Sequence, residues 1–183
     1  MTDLSKRSFL KKTAAAAAVL PVMEIGTAQA APAPKWDVTT DVLVIGLGGA
    51  GATAAIAAND KGAKVLVLEK MPEAGGNTRA SGGGFIIPKD AGQAYEYLEK
   101  TFLFADNEMD GSLVKAFCEG AVKLPEFFKR IAPDARLRVT GHANYPTLPY
   151  ADNITKYRVG GKEPGGITLM KTLLKVIDER KIP

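Results

Sequence analysis

Three glycines, Gly46, Gly48 and Gly51, stand at the spacing G-x-G-x-x-G directly after the apolar run Val42 to Ile45. An acid, Glu69, closes a second apolar run from Lys64 to Leu68. The spacing, not any single side chain, carries the reading. It predicts that the backbone holds the pyrophosphate of a dinucleotide while the acid holds a ribose, so that any redox chemistry belongs to the bound molecule. The fingerprint Gly46-Leu-Gly48-Gly49-Ala50-Gly51 assigns each position a task. Gly46 makes a sharp turn, and Gly48 has no side chain to keep a phosphate from the backbone. Gly51, with Ala55, lets a helix lie close to the strand beneath it.

The elements that must position these residues follow from the same stretch. Val42 to Ile45 reads as a strand of a parallel sheet buried on both faces. The Ala-rich segment after Gly51 reads as a helix whose N-terminal amides and dipole face the phosphates, and Gly62 ends it. Lys64 to Leu68 returns as the second parallel strand. The carboxylate of Glu69 is then placed to accept both ribose hydroxyls and to repel a 2'-phosphate, which argues against an NADP-type nucleotide.

A second glycine-rich loop follows the acid: Lys70, then Gly75-Gly76-Asn77-Thr78 and Ser81-Gly82-Gly83-Gly84, ending at Pro88. Backbone can approach a ligand again there, which a nicotinamide domain rarely requires. Glu69-Lys70, Gly75 to Thr78 and Ser81 to Gly84 resemble the FAD-binding half of the fumarate reductase/succinate dehydrogenase flavoprotein family, whose superfamily includes soluble fumarate reductases and 3-ketosteroid dehydrogenases. The resemblance is specific over residues 40 to 88 and looser beyond. It implies FAD as cofactor, with Asn77, Thr78, Ser81, Gly82 and Gly83 along its pyrophosphate and isoalloxazine. Membrane-bound members attach FAD through a histidine in this loop. The loop here contains none, and His142 is the single histidine of the chain, so FAD is expected to be held non-covalently.

The N-terminus is a separate matter. Lys6, Arg7, Lys11 and Lys12 precede an apolar stretch from Thr13 to Met23, and Ala28-Gln29-Ala30 fits a small-residue cleavage site. The stretch is too short to span a bilayer. Residues 1 to 30 are therefore expected to be a signal peptide and residues 31 to 40 a linker. Ser5-Lys6-Arg7-Ser8-Phe9-Leu10-Lys11 resembles a twin-arginine signal with lysine in the first basic position, implying export to the periplasm or extracytoplasmic face with FAD already inserted. Ordinary secretion and an uncleaved anchor are the alternatives. No stable membrane span is expected after signal removal.

Charge and cysteine content narrow the partners. Four basic residues against Asp3 and Glu24 leave the leader at +2, so the remainder keeps +2 of the chain's +4, without a basic block. That is too little for a nucleic-acid footprint. Cys118 is the single cysteine, which leaves no internal disulfide, no Cys-x-x-Cys-His haem site and no iron-sulfur set, and no metal site is expected. Electrons from a haem or quinone chain would have to arrive from another polypeptide. Cys118 itself falls in an amphipathic pattern and reads as a buried structural thiol.

Beyond Pro88 the periodicity is helical. Asp90 is expected to cap a helix through Phe104, with Ala94, Tyr95, Leu98, Thr101 and Phe102 on one side. Asp110 or Ser112 caps a second, running through Leu124, whose apolar face continues through Phe127, Phe128 and Ile131 past Pro125. Arg136 to Pro164 has little periodicity and reads as a loop on the substrate side, with His142 a solvated loop residue rather than a general acid. Gly165-Gly166 opens a last helix to Glu179. In the family that helix leads to another strand, so residues 41 to 183 are expected to be the N-terminal part of an FAD-binding domain, without its capping domain.

The fold class expected is α/β: a Rossmann-like FAD-binding domain with a parallel central sheet and helical layers, incomplete at its C-terminus. The function implied is the FAD-binding part of an exported oxidoreductase moving a hydride between flavin N5 and a CH-CH or C=C group. Its substrate would be a small unsaturated acid or a ketosteroid-like molecule. No catalytic residue is named. A cofactor-binding module without turnover and an NAD-dependent dehydrogenase are the readings from other classes.

Overall fold

The computed structural model describes residues 35–102 and 109–183. The expected signal peptide, residues 31–34 of the expected linker and Phe104 lie outside the described residues. The fold is carried by Thr39–Pro183; of the preceding unit only Lys35 to Val38 are described, and they form no helix or strand. Among the described residues no helix is long and apolar enough to cross a membrane.

β1 (Val42–Ile45), α1 (Gly49–Asn59) and β2 (Val65–Leu68) form a strand-helix-strand unit with β1 and β2 parallel, Val42 opposite Val65 and Ile45 opposite Leu68. The register is pinned at its start by side chains. Thr40 Oγ1 donates to the Lys64 carbonyl at 2.6 Å, and Asp41 Oδ2 accepts from the Lys64 amide at 2.8 Å. Strand alternation turns Val44 and Val65 into the core, where Ala52, Ala55 and Ile56 of α1 are fully buried against them. Met170, Leu173, Val176 and Ile177 of α6 (Gly165–Glu179) complete this core. At the far end of α1, Asp60 pairs with both Arg130 and Arg180, and Arg180 Nη1 also donates to the Ile56 carbonyl at 3.3 Å. The last residues turn back to the sheet: Ile182 is buried, and the Pro183 carbonyl accepts from the Val67 amide at 2.7 Å.

The expected burial of β1 on both faces is corrected. Leu43 and Ile45 are 50% and 81% exposed, because among the described residues α1 and α6 cover one face of the two-stranded sheet and nothing covers the other.

The second correction concerns Arg136 to Pro164. This stretch is not a loop: it supplies β4 (Leu137–His142) and β5 (Ile154–Val159), which pair antiparallel with each other and with β3 (Phe85–Pro88) in the order β3-β5-β4. A register shift between Val139 and Gly141 interrupts the alternation, and Arg138, Lys156 and Arg158 occupy positions where a buried strand would carry apolar residues. Those two features hide the strands from a periodicity reading.

α2 is one short turn (Gly76–Ala80), and α3 (Ala91–Phe102) buries Ala94 and Tyr97, with the expected Tyr95 and Leu98 half-buried against the same core. Asp90 Oδ1 accepts from the Gln93 amide at 2.8 Å and caps α3. Asp110, rather than Ser112, caps α4 (Gly111–Ala121), accepting from the Ser112 and Leu113 amides and from Ser112 Oγ. These bonds hold its carboxyl below the usual carboxylate range. The expected single apolar face across Pro125 is two helices, α4 and α5 (Leu124–Ile131), because Pro at the first turn starts a helix more readily than it continues one. Cys118 is 1% exposed in the smaller core with Ala94, Tyr97, Ala151 and Ile154, and burial pushes its thiol pKa up.

One buried polar side chain locks the two ends of this layer. Asn153 is 1% exposed; its amide donates to the Asp90 carbonyl at 2.9 Å and accepts from the Asp90 amide at 2.8 Å, so both ends of the side chain are satisfied.

Candidate functional site

The site lies where β1 and β2 end. Gly46 has φ +94°, a conformation that favours glycine, and a methyl group built on it meets nothing within 4 Å. On Gly48 a methyl would meet only the Gly75 carbonyl, at 3.7 Å. Gly51 is the opposite case: a methyl there would stand 1.9 Å from the Gly46 carbonyl oxygen, so the turn closes only with hydrogen at that position. Gly46 and Gly48 thus leave open space beside their α-carbons at the N-terminus of α1, while Gly51 closes the turn beneath them. Helix geometry leaves the Ala50 and Gly51 amides without intrahelical partners there. A methyl at Gly46 or Gly48 would fill the space a pyrophosphate would take, so the residues present fit such a group.

Glu69 is held by the backbone. Its Oε1 accepts from the Met71 amide at 2.8 Å and its Oε2 from the Leu47 amide at 2.6 Å. These bonds, Met71 first and then Leu47, hold the carboxyl below the usual carboxylate range. Each oxygen keeps capacity to accept a further hydrogen bond, so a diol could still be recognised.

The second loop is tied to the first. Thr78 Oγ1 accepts from the Gly49 amide at 3.1 Å, taking one of the helix-terminal donors, and Gly48 bridges to Gly75 in parallel fashion. A methyl on Gly49 would lie 2.8 Å from Thr78 Oγ1, which makes Gly49 a packing position. Ser81 Oγ donates to the Thr78 carbonyl at 2.8 Å and accepts from the Gly83 amide at 3.0 Å, folding the loop onto itself. The structure thus gathers Gly46, Gly48, Gly49, Ala50, Gly51, Glu69 and Thr78. Lys70, Gly76, Asn77, Ser81 and Gly82 are exposed beside them, and the Lys70 backbone adds a weaker hydrogen bond to the Glu69 carboxylate. Gly83 is buried, on the side of the loop that faces α6.

Three residues whose contact with this loop the sequence did not show hold it in place. Gly165 and Gly166 open α6 against it. Methyl groups on Gly83 and Gly165 would come within 2.2 Å of the Gly165 carbonyl carbon and 2.1 Å of the Gly82 carbonyl oxygen respectively, and one on Gly166 within 2.3 Å of the Thr78 carbonyl. The Gly166 amide also donates to the Ser81 carbonyl at 3.2 Å. The third is Arg158 of β5, whose side chain lies over Gly165 and Gly82. Two glycines starting a helix were a signal for close approach, but nothing local said which segment approaches. His142 is exposed at the end of β4, opposite Thr155, and takes no part in the cluster.

Comparison with known proteins agrees with this geometry. Residues 41–178 match the family model described as FAD binding domain. The acrylate reductase flavoprotein subunit of Shewanella woodyi is 42% identical over 95 residues, 51% of this chain and 19% of that protein. The fumarate reductase (cytochrome) of Shewanella frigidimarina is 54% identical over 56 residues, 31% of this chain and 10% of that protein. The chain therefore matches a fifth or less of the length of these curated relatives. A solved 3-ketosteroid-delta4-(5alpha)-dehydrogenase from Rhodococcus jostii RHA1 superposes with a TM-score of 0.66 at 20% identity, covering 82% of this chain and 38% of that one, a likeness of fold. With the matched region spanning the glycine cradle, Glu69 and most of α6, the chain belongs to the FAD binding domain family, and its cofactor is FAD.

Proposed function

We propose that the glycine turn Gly46 to Gly51, together with Glu69 and the loop Gly76 to Gly83, holds FAD non-covalently. In this reading residues 41 to 183 are the FAD-binding part of an exported flavoprotein oxidoreductase acting on the C=C bond of a small unsaturated acid. The observation that carries the reading is the α1 N-terminus: open α-carbons at Gly46 and Gly48, unpaired amides at Ala50 and Gly51, and a carboxylate fixed by two backbone amides at the end of the next strand. The relatives named as acrylate and fumarate reductases support the substrate class.

When bound, FAD supplies the hydride chemistry; the chain supplies position and electrostatics. The Ala50 and Gly51 amides and the α1 dipole bind the pyrophosphate. Glu69, ionised throughout the neutral range, accepts the ribose hydroxyls and disfavours a 2'-phosphate. Thr78 keeps the second loop docked on Gly49, so Asn77, Ser81 and Gly82 stand along the rest of the cofactor. Residues 1 to 30 act as a twin-arginine-type leader that sends the loaded protein to the periplasm, where a separate haem- or quinone-linked polypeptide delivers electrons.

The test is spectroscopic. Purified protein should be yellow with the flavin absorption bands and should release unmodified FAD on heating, and the dithionite-reduced sample should be reoxidised by acrylate or fumarate. A colourless protein that binds NAD would sink the reading. Reoxidation by a 3-ketosteroid alone would move the substrate class to steroids, and reduction without any acceptor would leave a binding module.

A further inference from the structure

Arg158 stands at the end of β5 with its side chain against the second glycine loop. Its Cδ would lie 3.1 Å from a methyl on Gly165, and its guanidinium nitrogen Nη2 3.4 Å from one on Gly82, so the charged end rests beside the Gly82 backbone. The other arginine of the loop region, Arg79, is neutralised by Glu73 at 2.8 Å, and Lys171 near the α6 N-terminus by Glu163 at 2.6 Å. Arg158 has no ion pair among the described residues. Directly across the β4-β5 pair stands Arg138, in register with it, and the Arg138 side chain packs on Gly160, one residue past β5. Two like charges opposite one another across an antiparallel pair repel. Arg138 likewise forms no ion pair among the described residues. The repulsion would be relieved by negative charge placed on the Gly82 side.

We propose that Arg158 is a charge-positioning residue of the flavin site: its unpaired guanidinium beside Gly82 favours the reduced, more negative form of bound FAD over the oxidised form. The inference rests on the FAD placement proposed above and adds a residue to it. Two-electron reduction with uptake of one proton leaves the flavin one unit more negative, and a fixed cation near the ring stabilises that added charge by a Coulomb term absent from the oxidised state. By linkage, the site then binds reduced FAD more tightly than it would without Arg158, and the bound flavin is easier to reduce.

The experiment is an anaerobic titration of the full chain with oxidised FAD and with dithionite-reduced FAD, followed by flavin fluorescence and absorbance, for the wild type, Arg158→Gln and Arg158→Lys. The ratio of the two dissociation constants is the readout, and a merely structural role would not move it. Arg158→Gln should weaken reduced FAD relative to oxidised FAD by about fivefold, the effect of one unit charge at roughly 10 Å in a partly screened setting. Arg158→Lys should keep the wild-type ratio within about twofold. An unchanged ratio in Arg158→Gln, or an equal loss of both affinities, overturns the proposal. If Arg158→Gln retains neither form, Arg158→Lys decides: it must restore the wild-type ratio, and failure to do so also overturns it. A wild type that binds neither form rejects the FAD placement itself, a result distinct from binding without the shift.

Discussion

At the scale of single residues, Gly51 and Glu69 make opposite demands. Gly51 must have no side chain, since a methyl would stand 1.9 Å from the Gly46 carbonyl oxygen. Gly51→Ala is therefore expected to open the turn and weaken FAD binding by about tenfold or more, measured by equilibrium titration. Glu69 must be charged. Its carboxyl is held below the usual range by the Met71 and Leu47 amides, so the folded state binds its proton less readily than the unfolded chain does. The stabilisation is complete above the ordinary carboxylate pKa and is lost as pH falls through the depressed folded value. Acid titration of the apoprotein, followed by circular dichroism, should show Glu69→Gln losing part of that acid-dependent change while the protein at neutral pH stays folded. The turn at Gly51 and the place of Glu69 directly after β2 were legible from spacing, because the glycine positions and the strand that ends in the acid are local signals. Arg158 was not legible, because its relation to Gly82 exists only once β5 is paired with β3 across a separation of some seventy residues.

At the scale of elements, the loop from Gly75 to Gly84 is held by α1 on one side and by α6 on the other. Gly166→Ala would place a methyl 2.3 Å from the Thr78 carbonyl and 2.4 Å from the Ser81 carbonyl, so the loop or the helix must move. The expected result is weaker FAD retention, with Gly120→Ala as control, since a methyl at Gly120 meets nothing within 4 Å. Asn153 is the comparable tie in the other layer. Asn153→Ala leaves the Asp90 amide and carbonyl without their side-chain partners and should cost about 2 kcal/mol in a denaturant melt. The β1-α1-β2 unit, the caps at Asp90 and Asp110, and the helix opening at Gly165 could all be read beforehand, since each has a local signal. β4 and β5 could not, since their arginines, lysines and the Gly141 irregularity break the alternation that marks a half-buried strand.

At the scale of the whole chain, the two-stranded parallel sheet has one covered face and one face bearing Leu43, Ile45 and Leu68, the last 49% exposed. Parallel sheets are ordinarily covered on both faces, so this face is where the described residues depart most from what their sequence predicts. Replacing Ile45, 81% exposed, with Thr should change the stability of this chain by no more than about 0.5 kcal/mol, whereas Ile56→Ala in the core should cost about 3 kcal/mol; paired thermal melts separate the two. In the proposed function these residues form an FAD site built from backbone and one acid. Its most direct test is a titration of the purified apoprotein with FAD, beside the Glu69→Ala variant. Saturable binding of one FAD per chain is expected, weakened about tenfold by Glu69→Ala. Absence of binding, or an affinity untouched by Glu69→Ala, would contradict it.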